Sequence, residues 1–223
     1  VTANELVLGE GDKVLRGFGS VALTGINAII GDGHGSLNAG TAIVTLTTPV
    51  LTGRNAGNQS VITTGALTLA STGGASTLAA AASLGTIISL SGGSLTVGGR
   101  IDALGGGVNL TATNGDVKII DGAVIDVGGL AVQFYDITEH ADAGRIAVTA
   151  LGGGVRLDGG AVLNLKAAAG GGNAGTLSAV ATGGGVTLDG TIDAHAANGK
   201  GGSFVLDIVA LPDFAGFSQR LEN

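Results

Sequence analysis

Two segments of this chain are variations on one text. GRIAVTALGGGVRLD at Gly144–Asp158 returns thirty-one residues later as GTLSAVATGGGVTLD at Gly175–Asp189. Each copy runs on into a further apolar stretch, LNLKA in one and IDAHA in the other, with a polar residue where the chain has to turn. A unit this short cannot bury its apolar face alone, so it has to stack on its neighbours. The recurrence predicts a rod of stacked coils.

Apolar and polar residues alternate within each unit, the period of a half-buried strand. The runs are TLSAVA, VTLD and TIDAHA in the copy from Gly175, and VNLTA, VKIID and AVIDVG in the copy from Gly107. Five starts align, at Gly85, Gly107, Gly144, Gly175 and Gly202. Their shortest step, 22 residues, is the core coil, and the excess elsewhere is insertion. Three short strands per coil, each paired in parallel with its equivalent in the next coil, describe an all-β parallel β-helix. Eight to ten such coils at about 4.8 Å each make a rod of roughly 40–50 Å. Two corner columns stand out. Asp121, Asp158 and Asp189 align in one, with Gly98 in the odd copy; Asp102, Asp126 and Asp193 align in the next, with Asn164 in the odd copy. Asp and Asn side chains bond their own backbone in turns, so both columns read as turn chemistry.

Composition narrows the class. Glycine supplies 44 of 223 residues, about a fifth against a usual share of about 7%. Only 2 prolines and no Gly-X-Y period exclude a collagen-like helix. An apolar share of 44%, mostly Val, Ile, Leu and Ala, excludes disorder. Aromatics are 3%, which fits thin repeated layers better than one thick core. Cysteine is absent, so there is neither a disulfide nor a thiolate site. Net charge is −7 and the 10 Lys and Arg are scattered singly, which argues against nucleic acid as a partner. No apolar run is long enough for a membrane-spanning helix. No signal peptide is visible, and a start at Val1 with an end at Asn223 is expected of a piece of a longer protein.

Three regions differ in regularity. Residues 1–84 keep strand character (SVALTG, AIVTLT, SVITTGALTLA) with less regular spacing. Residues 85–210 hold the regular repeats, interrupted by an insertion at about 128–143. Residues 211–223, LPDFAGFSQRLEN, break the pattern and read as a C-terminal cap or extension.

The run GTIISLSGGSLTVGGRIDALGGGVNLTATNGDVKIIDGAVIDVGG resembles the repeats of filamentous-haemagglutinin-type exoproteins of Gram-negative bacteria. The tail LPDFAGFSQRLEN is similar to the segment that follows the last such repeats in large members. The resemblance covers about 85–223 by motif and 1–84 by composition. It implies a right-handed β-helix and a giant secreted adhesin displayed at the cell surface, exported through an outer-membrane transporter partner. The family's N-terminal secretion module is missing here, so the chain would be an internal or C-terminal part of the shaft. Its partner would be a glycan or protein on a host or bacterial cell.

Chemistry-bearing patterns are sparse. His34, His140 and His195 share no metal spacing, and Glu139-His140-Ala141-Asp142 reads as a solvated acidic loop. Gly31-Asp32-Gly33-His34-Gly35 has no Lys-Ser or Lys-Thr after it, so it is no phosphate loop. Parallel β-helices also carry polysaccharide-degrading sites built from carboxylates on one outer face. The Asp102–Asp126–Asp193 column has that placement, but no basic or aromatic subsite recurs beside it in the sequence. No catalytic residue, metal ligand or cofactor is therefore assigned. Phe134 and Tyr135 in the insertion are the candidate partner-binding residues, since exposed aromatics can stack on sugars or anchor a protein. The competing reading has Phe134 tucked against the shaft, sealing the loop.

Overall fold

The computed structural model describes residues 1–209 and Ser218. The chain folds as a parallel β-helix whose strands stack in three rows. The first row runs from Gly11–Val14 through 34–38, 58–62, Ile87–Gly92, Gly107–Ala112, Arg145–Ala150 and Thr176–Ala181 to Ser203–Ile208. The second carries 20–24, Ile43–Thr47, Ala66–Ala70, Ser94–Gly98, Val117–Ile119, Val155–Leu157 and Val186–Leu188. The third carries 5–8, 28–32, 50–54, Arg100–Asp102, Val124–Asp126, Val162–Asn164 and Thr191–Asp193. Every pairing in these rows is parallel.

Alternation decides which side chains enter the core. Along Arg145–Ala150, Ile146, Val148 and Ala150 are buried while Ala147 and Thr149 face outward. Coil by coil, like stacks on like: Ile88, Val108, Ile146 and Leu177 form one column, and Ile101, Ile125, Leu163 and Ile192 another. Burying a Leu, Ile or Val side chain contributes about 1.5–3 kcal/mol. Each coil adds several such residues, so the core grows lengthwise.

Two sequence alignments shift by one residue. The registered column is Thr86, Gly106, Gly144, Gly175 and Gly202, so Gly85 sits one position early and Gly107 one late. Asp158 lies level with Ile120, not Asp121, because VKIID holds one more residue than VRLD. Asp121 instead reaches the next coil, where its Oδ1 accepts from the Gly160 amide at 2.8 Å. The Asp102, Asp126, Asn164 and Asp193 column is in register as aligned.

The third row departs from the other two after 50–54. Its next strand belongs to the segment beyond Ala66–Ala70, yet no strand from there joins the row. Val50, Leu51 and Thr52 pair directly with Arg100, Ile101 and Asp102. Residues 71–84 leave the stack as a flap with one short 3-10 turn, Ala80–Ser83. The flap lays Leu78 on Ala28, Ile30 and Val50, apolar side chains on the outside of the row. Asn27 Oδ1 holds it, accepting from the Thr77 amide at 2.8 Å, Thr77 Oγ1 at 3.2 Å and Ser76 Oγ at 3.4 Å. Apart from Ser218, the expected cap at 211–223 lies outside the described residues.

Candidate functional site

The insertion at 128–143 is a β-hairpin standing off the shaft. Leu130–Phe134 and Ile137–Ala141 pair antiparallel as a two-stranded sheet of their own. Tyr135 and Asp136 make the turn, with Tyr135 at φ +52°. That left-handed conformation is costly for a residue with a bulky side chain. Gln133 braces it: its Nε2 donates to the Tyr135 carbonyl at 2.8 Å, and its Oε1 accepts from Thr138 Oγ1 at 2.6 Å.

The tip is open and carries three apolar side chains beside the exposed Asp136. Tyr135 is fully exposed, Phe134 is 57% exposed and its cross-strand neighbour Ile137 is 58% exposed. Phe134 therefore presents more than half its surface to solvent, pairing across the hairpin with Ile137. Sequence reasoning misses Ile137; its signal is position, since a two-residue turn puts it opposite Phe134.

The base of the hairpin is anchored on the following coil. Asp142 accepts from the Asn173 amide at 2.7 Å and from Asn173 Nδ2 at 3.0 Å, and these bonds hold its carboxyl below the usual carboxylate range. The His140 ring lies over Gly170 and Gly171. The hairpin thus has a rooted base and a largely apolar tip.

The second candidate face is the outer side of the third row, with Asp102, Asp126, Asn164 and Asp193 stacked on consecutive strands. Basic groups stand beside them, which the sequence did not bring out. Arg100 lies between two carboxylates, Nε 2.7 Å from Asp102 and Nη2 3.2 Å from Asp126. Lys166 Nζ is 3.9 Å from Asp193, whose other oxygen is 2.6 Å from His195 Nδ1. The legible signal was Arg-Ile-Asp, since residues two apart on a strand share a face. Asp126 Oδ1 accepts from the Gly128 amide at 3.0 Å and Asn164 Nδ2 at 2.8 Å. That is the turn chemistry expected of the column. Burial pushes the Asp102 carboxyl up, against the opposing pull of Arg100.

The three histidines remain apart, and among the described residues no three His, Asp or Glu side chains converge as a cation site requires. The 31–35 segment is part of strand Ser20–Asn38, and Asp32 there accepts from Arg54 Nε at 2.9 Å and Asn55 Nδ2 at 3.1 Å. No helix among the described residues is long and apolar enough to cross a membrane. No protein-family model, curated protein or solved structure matches the chain.

Proposed function

We propose that this chain is a shaft segment of a large secreted adhesin, a stiff spacer that holds contact regions away from the cell bearing it. The observation that carries the reading is the pairing. Strand after strand is hydrogen-bonded along one axis from residue 2 to residue 208, in rows of seven or eight strands about 30–35 Å deep. A stack of this kind transmits load through its ladders and grows by adding coils. The resemblance of 85–223 to haemagglutinin-type repeats supports the same reading, along with export through an outer-membrane transporter and display at the bacterial surface. Immunogold labelling with antibodies raised against the purified chain tests it. Label on surface filaments of intact source cells is expected; label seen only after permeabilisation overturns it.

A second reading is favoured by the hairpin. Three exposed apolar side chains gathered at one rooted tip suit a contact point for a glycan or protein on another cell. Beads coated with the chain are expected to bind target cells and to lose binding in the Phe134→Ala/Tyr135→Ala double variant. Undiminished binding by the double variant removes the hairpin from the account.

A further inference from the structure

The strand absent from the third row leaves a cleft of about 270 Å³ between the 71–84 flap and the outer face of that row. Pro49, Val50 and Leu78 form its apolar side, and Thr52, Arg100 and Asp102 its polar side. Asp102 is 8% exposed, and its Oδ1 is closed to solvent. Arg100 Nε lies 2.7 Å from that oxygen as an ion pair. A donor entering the cleft therefore meets the carboxylate at Oδ2, which takes no hydrogen bond from the protein.

Charge selects the class of occupant. Arg100 is already shared between Asp102 and Asp126. An anion entering the cleft meets the Asp102 carboxylate and finds the guanidinium already shared, and a free cation meets the guanidinium. The upward push on the Asp102 carboxyl weakens its hold on a cation further. A neutral ligand rich in hydroxyls avoids both conflicts. It can donate to Asp102, and its C–H face can lie on the apolar side. The volume is below the roughly 300–1,000 Å³ of sites for drug-sized ligands, which leaves room for a single ring.

We propose that this cleft binds one neutral sugar unit, with its hydroxyls donating to Asp102 and its ring face resting on Val50 and Leu78 under the flap. The assignment goes beyond the shaft reading and does not rest on it.

Saturation-transfer NMR and calorimetry on the purified chain test it. The probes are the methyl glycosides of glucose, galactose, mannose and N-acetylglucosamine, with L-alanine and calcium chloride as contrasts. At least one glycoside is expected to bind saturably. Asp102→Asn is expected to weaken binding about tenfold by removing charge-assisted acceptance. Gly74→Phe adds bulk to the lining of the cleft, at a position where a Cβ meets only ordinary contacts at 3.6 and 3.9 Å. It is expected to abolish binding while the circular dichroism spectrum and thermal midpoint stay unchanged. The proposal is overturned by no saturable glycoside binding, or by binding of alanine or calcium alone. It is equally overturned by glycoside binding that survives both variants, including binding that follows Phe134→Ala/Tyr135→Ala instead.

Discussion

Gly144→Ala is the substitution that tests the stacking most directly. The carbonyls of Thr86, Gly106, Gly144 and Gly175 each accept an amide from the next coil, at 2.8, 2.9, 3.1 and 3.1 Å. A Cβ on Gly144 points at the Gly106 carbonyl oxygen and falls far inside 3.0 Å, a separation that real Cβ atoms essentially never go below. Both partners are backbone, so neither can swing aside. The two coils have to part by roughly 1 Å, which stretches the 2.9 Å bond from the Arg145 amide to Gly106 past any hydrogen-bonding distance. It also lifts Ile146 and Val148, buried two and four residues further on. One lost ladder bond costs about 1 kcal/mol and overpacking about 1–3 kcal/mol, so the expected loss is about 2–4 kcal/mol.

Two other glycines separate this clash from generic effects of alanine. A Cβ added to Gly185 has nothing within 4 Å, and the residue has no positive φ, so Gly185→Ala is expected to be neutral or stabilising by up to about 1 kcal/mol. Gly122 is equally open but sits at φ +83°, so Gly122→Ala is expected to cost about 1 kcal/mol from backbone strain alone. Urea denaturation followed by far-ultraviolet circular dichroism ranks the three. Hydrogen exchange at the Arg145 and Thr176 amides shows whether the damage is local to that coil. A Gly144→Ala midpoint matching that of Gly185→Ala would falsify the stacking argument.

Further outcomes follow from the same contacts. Asp102 has a folded pKa raised by burial, so its contribution is fully present below the unfolded pKa and is lost as pH rises through the folded one. Asp102→Asn is therefore expected to raise the thermal midpoint at neutral pH, with the gain disappearing in acid; a variant less stable at neutral pH refutes the sign. Asn27→Ala removes the acceptor for three donors on the flap, and limited proteolysis is expected to cut within 71–84 sooner than in the parent, with a stability loss of about 1 kcal/mol. Asp142 has a depressed folded pKa, so its anchoring of the hairpin holds above the unfolded pKa and fades as pH falls through the folded one. NMR amide shifts at Asn173 are expected to follow that acid titration, and a pH-independent Asn173 signal counts against the anchor. Ile125→Ala is expected to cost about 2–5 kcal/mol because the side chain is fully buried, while Ile137→Ala at the hairpin tip stays within about 0.5 kcal/mol; equal losses in calorimetry would contradict the inside–outside assignment.

The C-terminal coils were legible because their corners are punctuated by glycine triplets whose first two positions leave no room for a side chain. A Cβ on Gly183 falls 2.5 Å from the Gly152 backbone, and one on Gly184 falls 2.8 Å from Gly153. Steric exclusion in the stack thus shows up as a repeated GGG. The one-residue offsets at Gly85, Gly107 and Asp121 were not legible, because a corner absorbs an extra residue without altering the apolar period of the strands beside it. The N-terminal coils lacked punctuation for a different reason. Ser20–Asn38 runs from the second row through the third to the first, and Val50–Ile62 from the third to the first, as continuous strands whose corners carry isolated residues at positive φ (Gly33 in one, Asn55 and Ala56 in the other) instead of a repeated triplet. Their second-row strands, 20–24, Ile43–Thr47 and Ala66–Ala70, nevertheless pair in direct succession.

The missing third-row strand follows from what the 71–86 segment lacks. Every other third-row strand after the first sends one large aliphatic side chain inward: Ile29, Leu51, Ile101, Ile125, Leu163 or Ile192. STGGASTLAAAASLGT offers only Leu78 and Leu84 as large apolar residues, with no β-branched aliphatic and no alternation. A strand built from it would have to take Leu78 from the outer face, where it covers Ala28, Ile30 and Val50, or leave alanine or serine in the core column at a cavity cost of about 2–5 kcal/mol. Skipping the layer avoids that cost, because Leu51 and Ile101 then meet directly. The same skip leaves Ala28, Ile30 and Val50 facing outward, and the displaced segment covers them with Leu78. It also brings Thr52 level with Asp102, where Thr52 Oγ1 donates to the Asp102 carbonyl at 3.1 Å. The cleft and its buried carboxylate are thus by-products of a core requirement. Only the deficit was visible in the sequence; the cleft arises from how the stack closes around it.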